Sequence, residues 1–374
     1  MISESTYLAA KMISGTLEQY FAEQVAGQIN VTGNAYFPKA NIIESIIDSA
    51  FWASLRREEG YSPKISIALM APGTVSHPIR FANPVRFTPY NLVKLSPAVI
   101  QPSIHLGVWY EGNNLMIWGT THDIPDWCLV LEVIEPGLLV VKHKRHGGYG
   151  KFVNIAVLKG DQIKMIDERN LELTGYPQLL ASLLGMPSRT VIDHTVNMLV
   201  ELAVAMRRHA RGGLLLLVPS NQDVWKESIV QPIGYSINPV YRVLADLVAK
   251  NQEDTLREDI LKSIDVIGGF TAIDGATILN TNYELLAFGA KVARRASHAP
   301  VPKVLITEPV VGQEAELVDP VKIGGTRHLA AAQFVHDQKE ATALVASQDG
   351  LFTVFSWSES LQMVQAHRID ALLL

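Results

Sequence analysis

Phe270-Thr271-Ala272-Ile273-Asp274-Gly275-Ala276-Thr277-Ile278-Leu279 sets one carboxylate on a small-residue turn between two apolar runs. Asp-Gly is a common turn dipeptide, so on its own this stretch also reads as a purely structural hairpin. The residues that follow make it more informative. At a distance of 327 − 274 = 53 residues lies Gly324-Gly325-Thr326-Arg327-His328-Leu329-Ala330-Ala331, a glycine pair running into the start of a helix. Thr326 is the expected N-cap, and glycines ahead of a helix N-terminus let a phosphate approach free backbone N–H groups. Arg327 adds a planar fork suited to phosphate oxygens. His328 reads either as a core histidine or, beside Arg327, as a donor to phosphate. A carboxylate for metal or hydroxyl and a basic helix start for phosphates are the two halves of a nucleotidyl-transfer site.

The surrounding pattern is an alternation of helix and strand, which predicts a mixed α/β sheet. A helix capped by Ser188 carries Ile192, Val196, Leu199, Leu202, Ala203 and Met206 on one side. It ends in Arg207-Arg208-His209-Ala210-Arg211, cations that complement the helix dipole or serve a binding role. Gly213 to Val218 follows as a buried strand, then Gly234 and a helix near Val240 to Lys250. Ala341 to Ala346 is followed by Ser347-Gln348-Asp349-Gly350 and Leu351 to Phe355. Trp357 to Leu374 reads as a helix with an apolar end, packed on its own domain or against a second subunit. His336 and Asp337 read as surface residues.

Together these motifs resemble the diadenylate cyclase family (the DisA N-terminal, or DAC, domain), over roughly residues 188 to 358. That family carries Asp-Gly-Ala and, some fifty residues later, Gly-Thr-Arg-His-Arg. The stretch from Ala341 to Phe355 resembles its late hairpin. The resemblance implies a fold that binds ATP with Mg²⁺ or Mn²⁺ and joins two ATP into cyclic di-AMP, two copies facing each other as a homo-oligomer. It implies that Asp274 holds metal and helps deprotonate a ribose 3′-hydroxyl. Gly275 and Ala276 keep the turn small, and Gly325, Thr326, Arg327 and His328 cradle the triphosphate. Ser347 lies in the nucleotide-binding turn and Asp349 supports the metal. Two departures stand out: Leu329 replaces the family's second arginine, and Ser347-Gln348-Asp349 replaces Ser-Glu-Glu. The alternative is therefore a nucleotide-binding sensor of ATP or a cyclic dinucleotide, with catalysis weakened or lost.

The first half has a different grammar. Residues 4 to 58 read as two helices, with Ile42, Ile43, Ile46, Ile47, Ala50, Phe51 and Leu55 on one stripe. Short strand-like runs follow at Ile65 to Met70, His105 to Tyr110, Leu115 to Gly119, Cys128 to Ile134, Leu138 to Lys142 and Phe152 to Leu158. Glu111-Gly112-Asn113-Asn114 is a hairpin signal. The expectation is an α+β domain, residues 1–170, with a mainly antiparallel sheet, ahead of a cyclase-like domain at 171–374. Punctuation at Gly175-Tyr176-Pro177 and Gly185-Met186-Pro187 marks the boundary. This layout resembles family members with a sensor domain, of the type called DACNV, in front of the cyclase. The basic run Lys142 to Lys151 is either a solvated hairpin tip or an anion-binding loop for a sensor ligand.

Composition narrows the classes. With 374 residues, 48% hydrophobic and 18% charged, the chain has ample core for two domains. A net charge of −5 and a pI near 6.1 argue against a general nucleic-acid footprint. Cys128 is the only cysteine, so no intramolecular disulfide can form, and its setting reads as a buried strand start. The eleven histidines show no zinc-ligand spacing. Neither a membrane span nor a signal-peptide pattern is legible, and the expected location is cytoplasmic.

Overall fold

Central strands buried on both faces organise both halves of the chain. The computed structural model describes residues 5–26, 38–112, 114–144, 152–167, 194–250, 255–296 and 298–374. The chain divides into two units, Met1–Ile166 and Asp167–Leu373. Ser188, Ile192, the two Gly-x-Pro signals and Arg145 to Lys151 lie outside the described residues.

In the first unit, α1 (Leu8–Ala26) and α2 (Ala40–Ser54) are the two helices expected, and α3 (Pro89–Leu95) is added. Thr88 caps α3 by accepting from the Asn91 N–H. The strands are β1 (Ile65–Leu69), β2 (Ile79–Arg86), β3 (His105–Glu111), β4 (Asn114–Thr121), β5 (Leu129–Glu135), β6 (Leu138–Lys144), β7 (Phe152–Lys159) and β8 (Gln162–Met165). They form one sheet in the order β2-β4-β3-β1-β5-β6-β7-β8. It is a mixed sheet: β1 and β3 pair in parallel, which the expectation of a mainly antiparallel sheet did not include, and the other neighbouring pairs are antiparallel. A parallel pair needs a crossover, and the long excursion through β2 and α3 supplies it. Ile65, Ile67 and Leu69 pack with the stripe of α2, including Ile43, Ile46 and Ile47, in one core. Ala68 and Met70 join Trp118, Cys128 and Val130 in a smaller cluster. Burial pushes the Cys128 thiol up to about 12, so it is a packing residue and not a nucleophile.

One expectation about the basic run is corrected. Lys142 and His143 are buried residues of β6 and not part of a solvated tip. Lys142 Nζ donates to Glu132 Oε2 at 2.7 Å, the neighbouring strand supplying the counter-charge that burial demands.

The second unit is built on a nine-stranded mixed sheet, order β10-β12-β11-β9-β15-β16-β17-β13-β14. Its strands are β9 (Gly213–Val218), β10 (Tyr235–Tyr241), β11 (Ala276–Asn280), β12 (Leu285–Ala290), β13 (Val304–Thr307), β14 (Glu316–Val318), β15 (Thr342–Ala346), β16 (Phe352–Ser358) and β17 (Met363–Arg368). Helices α4 (His194–Arg208), α5 (Val243–Lys250) and α6 (Thr255–Phe270) pack with Leu215, Leu279, Leu344 and Val354 on one side. α7 (Thr326–Asp337) packs with Leu214, Leu216, Val345, Phe355, Val364 and Ala366 on the other. Gly268 permits the close contact of α6 with α4, since a Cβ there would lie 2.7 Å from Ala205 Cβ.

The segment from Trp357 to Leu374 is not the expected helix. It finishes β16, forms β17 and ends in a short 3-10 turn, Asp370–Leu372. Val364, Gln365, Ala366 and His367 are all buried because β17 lies between β16 and β13, covered on both faces. The polar residues Gln365 and His367 lie on the face opposite Val364 and Ala366, a period-two pattern that belongs to a strand and not to a helix. The helix expected from Val240 begins at Val243, with Val240 still in β10 after Pro239.

Candidate functional site

The strand register collects the motif residues at one end of the nine-stranded sheet. Ala276 of β11 pairs with Leu214 of β9, and Leu214 pairs with Val345 of β15. Two residues outward from this row stand Asp274, Gly212 and Ser347, so the Asp-Gly turn and the late hairpin flank the start of β9. Two strand spacings separate Asp274 from Ser347 across the sheet, about 10 Å. The row continues through Thr353 of β16 to Arg368 at the end of β17.

Arg327 enters this end from above. A Cβ added to Gly212 would meet Arg327 Nη1 and the Ala346 carbonyl at 3.2 Å and Gln348 Cγ at 3.5 Å. The guanidinium therefore lies over the turn into β9, against the late hairpin. Its Nε is buried without a hydrogen-bond partner, and no carboxylate pairs with it among the described residues. A buried donor with no acceptor costs roughly 1–3 kcal/mol. An oxyanion is the ligand that would remove that cost.

The backbone under Arg327 is fixed by a chain of hydrogen bonds. The Arg211 N–H donates to His209 Nδ1 at 3.1 Å, which places the imidazole proton on Nε2. That nitrogen donates to Thr271 Oγ1 at 3.0 Å, and Thr271 donates to the Gly268 carbonyl at 2.6 Å. Burial, with the charges of Arg211 and Arg327, holds the His209 pKa below its ordinary value, so this neutral tautomer persists at neutral pH. Gly213 is required here because a Cβ would lie 2.8 Å from the Thr271 carbonyl oxygen.

At the start of α7 the N-cap is Gly325, which replaces Thr326 as the expected capping residue. Thr326 is the first helical residue and is exposed, with no capping hydrogen bond. Space beside Gly325 is open, so its side of the helix start is accessible. Gly324 has another reason to lack a side chain: a Cβ would lie 2.6 Å from His328 Nδ1. His328 is itself buried, edge-on to Phe355. Burial, and then the charge of Arg368, keep it neutral. It is placed beneath the Gly-Gly turn.

Asp274 is exposed, and its carboxylate has no partner among the described residues. Gly275 has φ +99, and a Cβ there would come within 2.5 Å of the Gly289 carbonyl carbon, so its own fold requires glycine. Ala276 is fully buried at the start of β11. In the late hairpin, Ser347 Oγ accepts from the Asp349 N–H at 3.1 Å, while the Asp349 carboxylate is exposed. Gln348 Nε2 donates to the Arg211 carbonyl at 3.4 Å, closing the hairpin onto the turn before β9. Asp274 and Asp349 are exposed acidic side chains on the two turns at this end, and no group of three metal-ligating residues occurs among the described residues. That donor set fits Mg²⁺ or Mn²⁺ delivered with phosphate oxygens, not a cage made by protein alone.

Arg368 was not legible as a site residue because its segment read as helix. As the end of β17 it shares a face with Val364 and Ala366, toward α7, and Nη2 donates to the Ile323 carbonyl at 3.5 Å. A second guanidinium thus stands at the foot of the Gly324-Gly325 turn. Leu329, where the resembling family has arginine, is 38% exposed in the first turn of α7.

No helix among the described residues is long and apolar enough to cross a membrane. No curated protein matches the chain. Residues 32–122 match the family described as "Probable sensor domain DACNV", a domain typically found with diadenylate cyclases, and no cyclase catalytic domain is matched in the rest of the chain.

Proposed function

We propose that the second unit is a diadenylate-cyclase-like nucleotide site, placed after a sensor domain and acting as a homo-oligomer. The observation that carries this reading is Arg327. Its guanidinium is unpaired among the described residues, has a buried Nε, and lies over Gly212 beside an open helix N-terminus. Phosphates of ATP supply acceptors for Arg327 and for the first N–H groups of α7. Arg368 holds the Gly-Gly turn and adds positive potential at its base. Asp274, at the opposite side of the β9 start, accepts the proton of a ribose 3′-hydroxyl at its carboxylate. That oxygen then forms a bond to the α-phosphorus of the ATP held by the facing copy, and the α–β phosphoanhydride breaks to release pyrophosphate. A divalent cation bound by Asp274 and Asp349 with the phosphates would neutralise charge developing on the leaving group. His328 keeps the Gly-Gly turn in shape from beneath.

A second reading is a nucleotide-binding sensor of the same fold. It is favoured by Leu329, which brings no guanidinium to the exposed first turn of α7, and by Gln348, which bonds to backbone in place of a metal-supporting acid. The decisive experiment incubates the purified chain with ATP and Mn²⁺ or Mg²⁺ and resolves the nucleotides by chromatography. A cyclic dinucleotide that disappears in Arg327→Ala establishes the enzyme. Tight ATP binding without product, lost in the same variant, establishes the sensor. ATP affinity equal in variant and parent would remove both readings.

A further inference from the structure

A cleft in the first unit has the features of a ligand site. The carboxyl end of α2, the junction of β2 with α3 and the start of β4 enclose about 460 Å³. That is within the usual range for small-molecule sites, roughly 300–1,000 Å³. Arg56, in the turn after α2, and Arg86, the last residue of β2, both line it. Neither has a salt-bridge partner among the described residues. Asp48 is the one acid among the cleft's lining residues, and it and the nearby Glu58 both have partners. Glu58 holds Lys94 at 2.6 Å, and Asp48 Oδ1 accepts from Ser5 Oγ and from the N–H groups of Thr6 and Tyr7 at 2.8–3.1 Å.

Trp52 also lines the cleft, 39% exposed and held in orientation by a 2.9 Å hydrogen bond from Nε1 to Thr6 Oγ1. A fixed indole beside two unpaired guanidinium forks can take an oxyanion on the forks and an organic skeleton on the ring. The dipole of α2 would account for Arg56 as a helix-end cation, but it gives no reason for Arg86 at the end of a strand.

We propose that this cleft binds a small polyanion bearing carboxylate or phosphate groups, gripped by Arg56 and Arg86 and packed on Trp52. Trp52, which would meet it, bonds to Thr6, and Asp48 on the same cleft holds the Thr6 and Tyr7 N–H groups, so occupancy acts on the clip that fixes α1 to α2. The proposal is independent of the nucleotide site.

The test uses the full chain carrying Arg327→Ala, so that the α7 helix start does not contribute. Inorganic phosphate, pyrophosphate and citrate are titrated separately by calorimetry at low salt. The same titrations are followed by fluorine NMR on fluorotryptophan-labelled protein, with the Trp52 resonance assigned by Trp52→Phe. Saturable binding of at least one probe is expected, with a shift of the Trp52 resonance. Arg56→Ala and Arg86→Ala should each weaken it about tenfold or more, and the double variant should abolish it. Binding of citrate alone identifies a carboxylate ligand, and binding of pyrophosphate or phosphate alone a phosphorylated one. No saturable binding by any probe, or equal affinity in the double variant, overturns the proposal. Because both arginines are exposed, circular dichroism should show all variants folded.

Discussion

Leu329→Arg asks whether one missing guanidinium limits the second unit. The side chain is 38% exposed, so roughly 1–2 kcal/mol of leucine burial is at stake, and the arginine's methylenes retain part of it. A cation in the first turn of α7 costs a further 0.3–1 kcal/mol or so against the helix dipole, which a bound phosphate offsets. The variant should therefore fold, with a melting point lower by only a few degrees. Arg327 and residue 329 diverge around the helix, so the new fork reaches a different phosphate oxygen from Arg327. One charge-assisted contact of about 1.5–3 kcal/mol corresponds to roughly 10- to 150-fold in ATP affinity or in turnover. The assay is ATP binding by calorimetry at two salt concentrations, together with cyclic dinucleotide formation. A folded variant that binds ATP no more tightly than the parent, at either salt concentration, refutes the argument that this turn faces phosphate. A variant that binds tighter and forms no product places the lesion at Gln348-Asp349 and favours the sensor reading.

Asp274→Asn should leave the thermal melting point within about half a degree to one degree of the parent, because the carboxylate is exposed and unpaired, yet remove metal-dependent ATP binding; a large loss of stability would make Asp274 a structural residue. Gly275→Ala should cost about 2–5 kcal/mol in chemical denaturation, since φ +99 and a 2.5 Å approach to Gly289 must both be relieved; a neutral effect would contradict the close β11–β12 packing. Stability should also fall in mild acid. Burial holds the His105 imidazole at about 4 and the His367 imidazole at about 3, both below the ordinary 6.5. With folded values depressed, the unfolded chain takes up protons first, so this contribution is complete above pH 6.5 and is lost as pH falls toward 4 and 3. His367→Gln should be less stable at pH 7.5 but show a shallower loss between pH 6.3 and 5; parallel curves would exclude His367 as a source.

How much was legible differed between the two halves of the site. Gly324-Gly325 and Arg327 carry their chemistry locally, in a glycine pair and a guanidinium at the first turn of a helix, and that survives in any fold that makes the helix. The same holds for the turn at Asp274-Gly275 and for the stripe of α2, whose periodicity names its buried face. Arg368 was hidden because Trp357 to Leu374 was read as one helix from its apolar end, although Val364-Gln365-Ala366-His367 alternates with the period of the strand it forms. Thr326 lost the cap to Gly325 through a single-residue shift in where the helix starts, a detail that hydrogen-bond geometry decides.

The sequence by itself determined which residue types could meet a phosphate and how far apart along the chain they lie. It could not say that they share one end of a sheet. That depended on β9 pairing with β11 in parallel and with β15 in antiparallel register, bringing Asp274, Gly212 and Ser347 into one row. Nor could it place Arg56 and Arg86 in one cleft, 30 residues apart by 86 − 56 on separate elements. Local propensity is written in neighbouring residues, whereas strand order and register are chosen by the packing of whole faces, and only the folded chain expresses that choice.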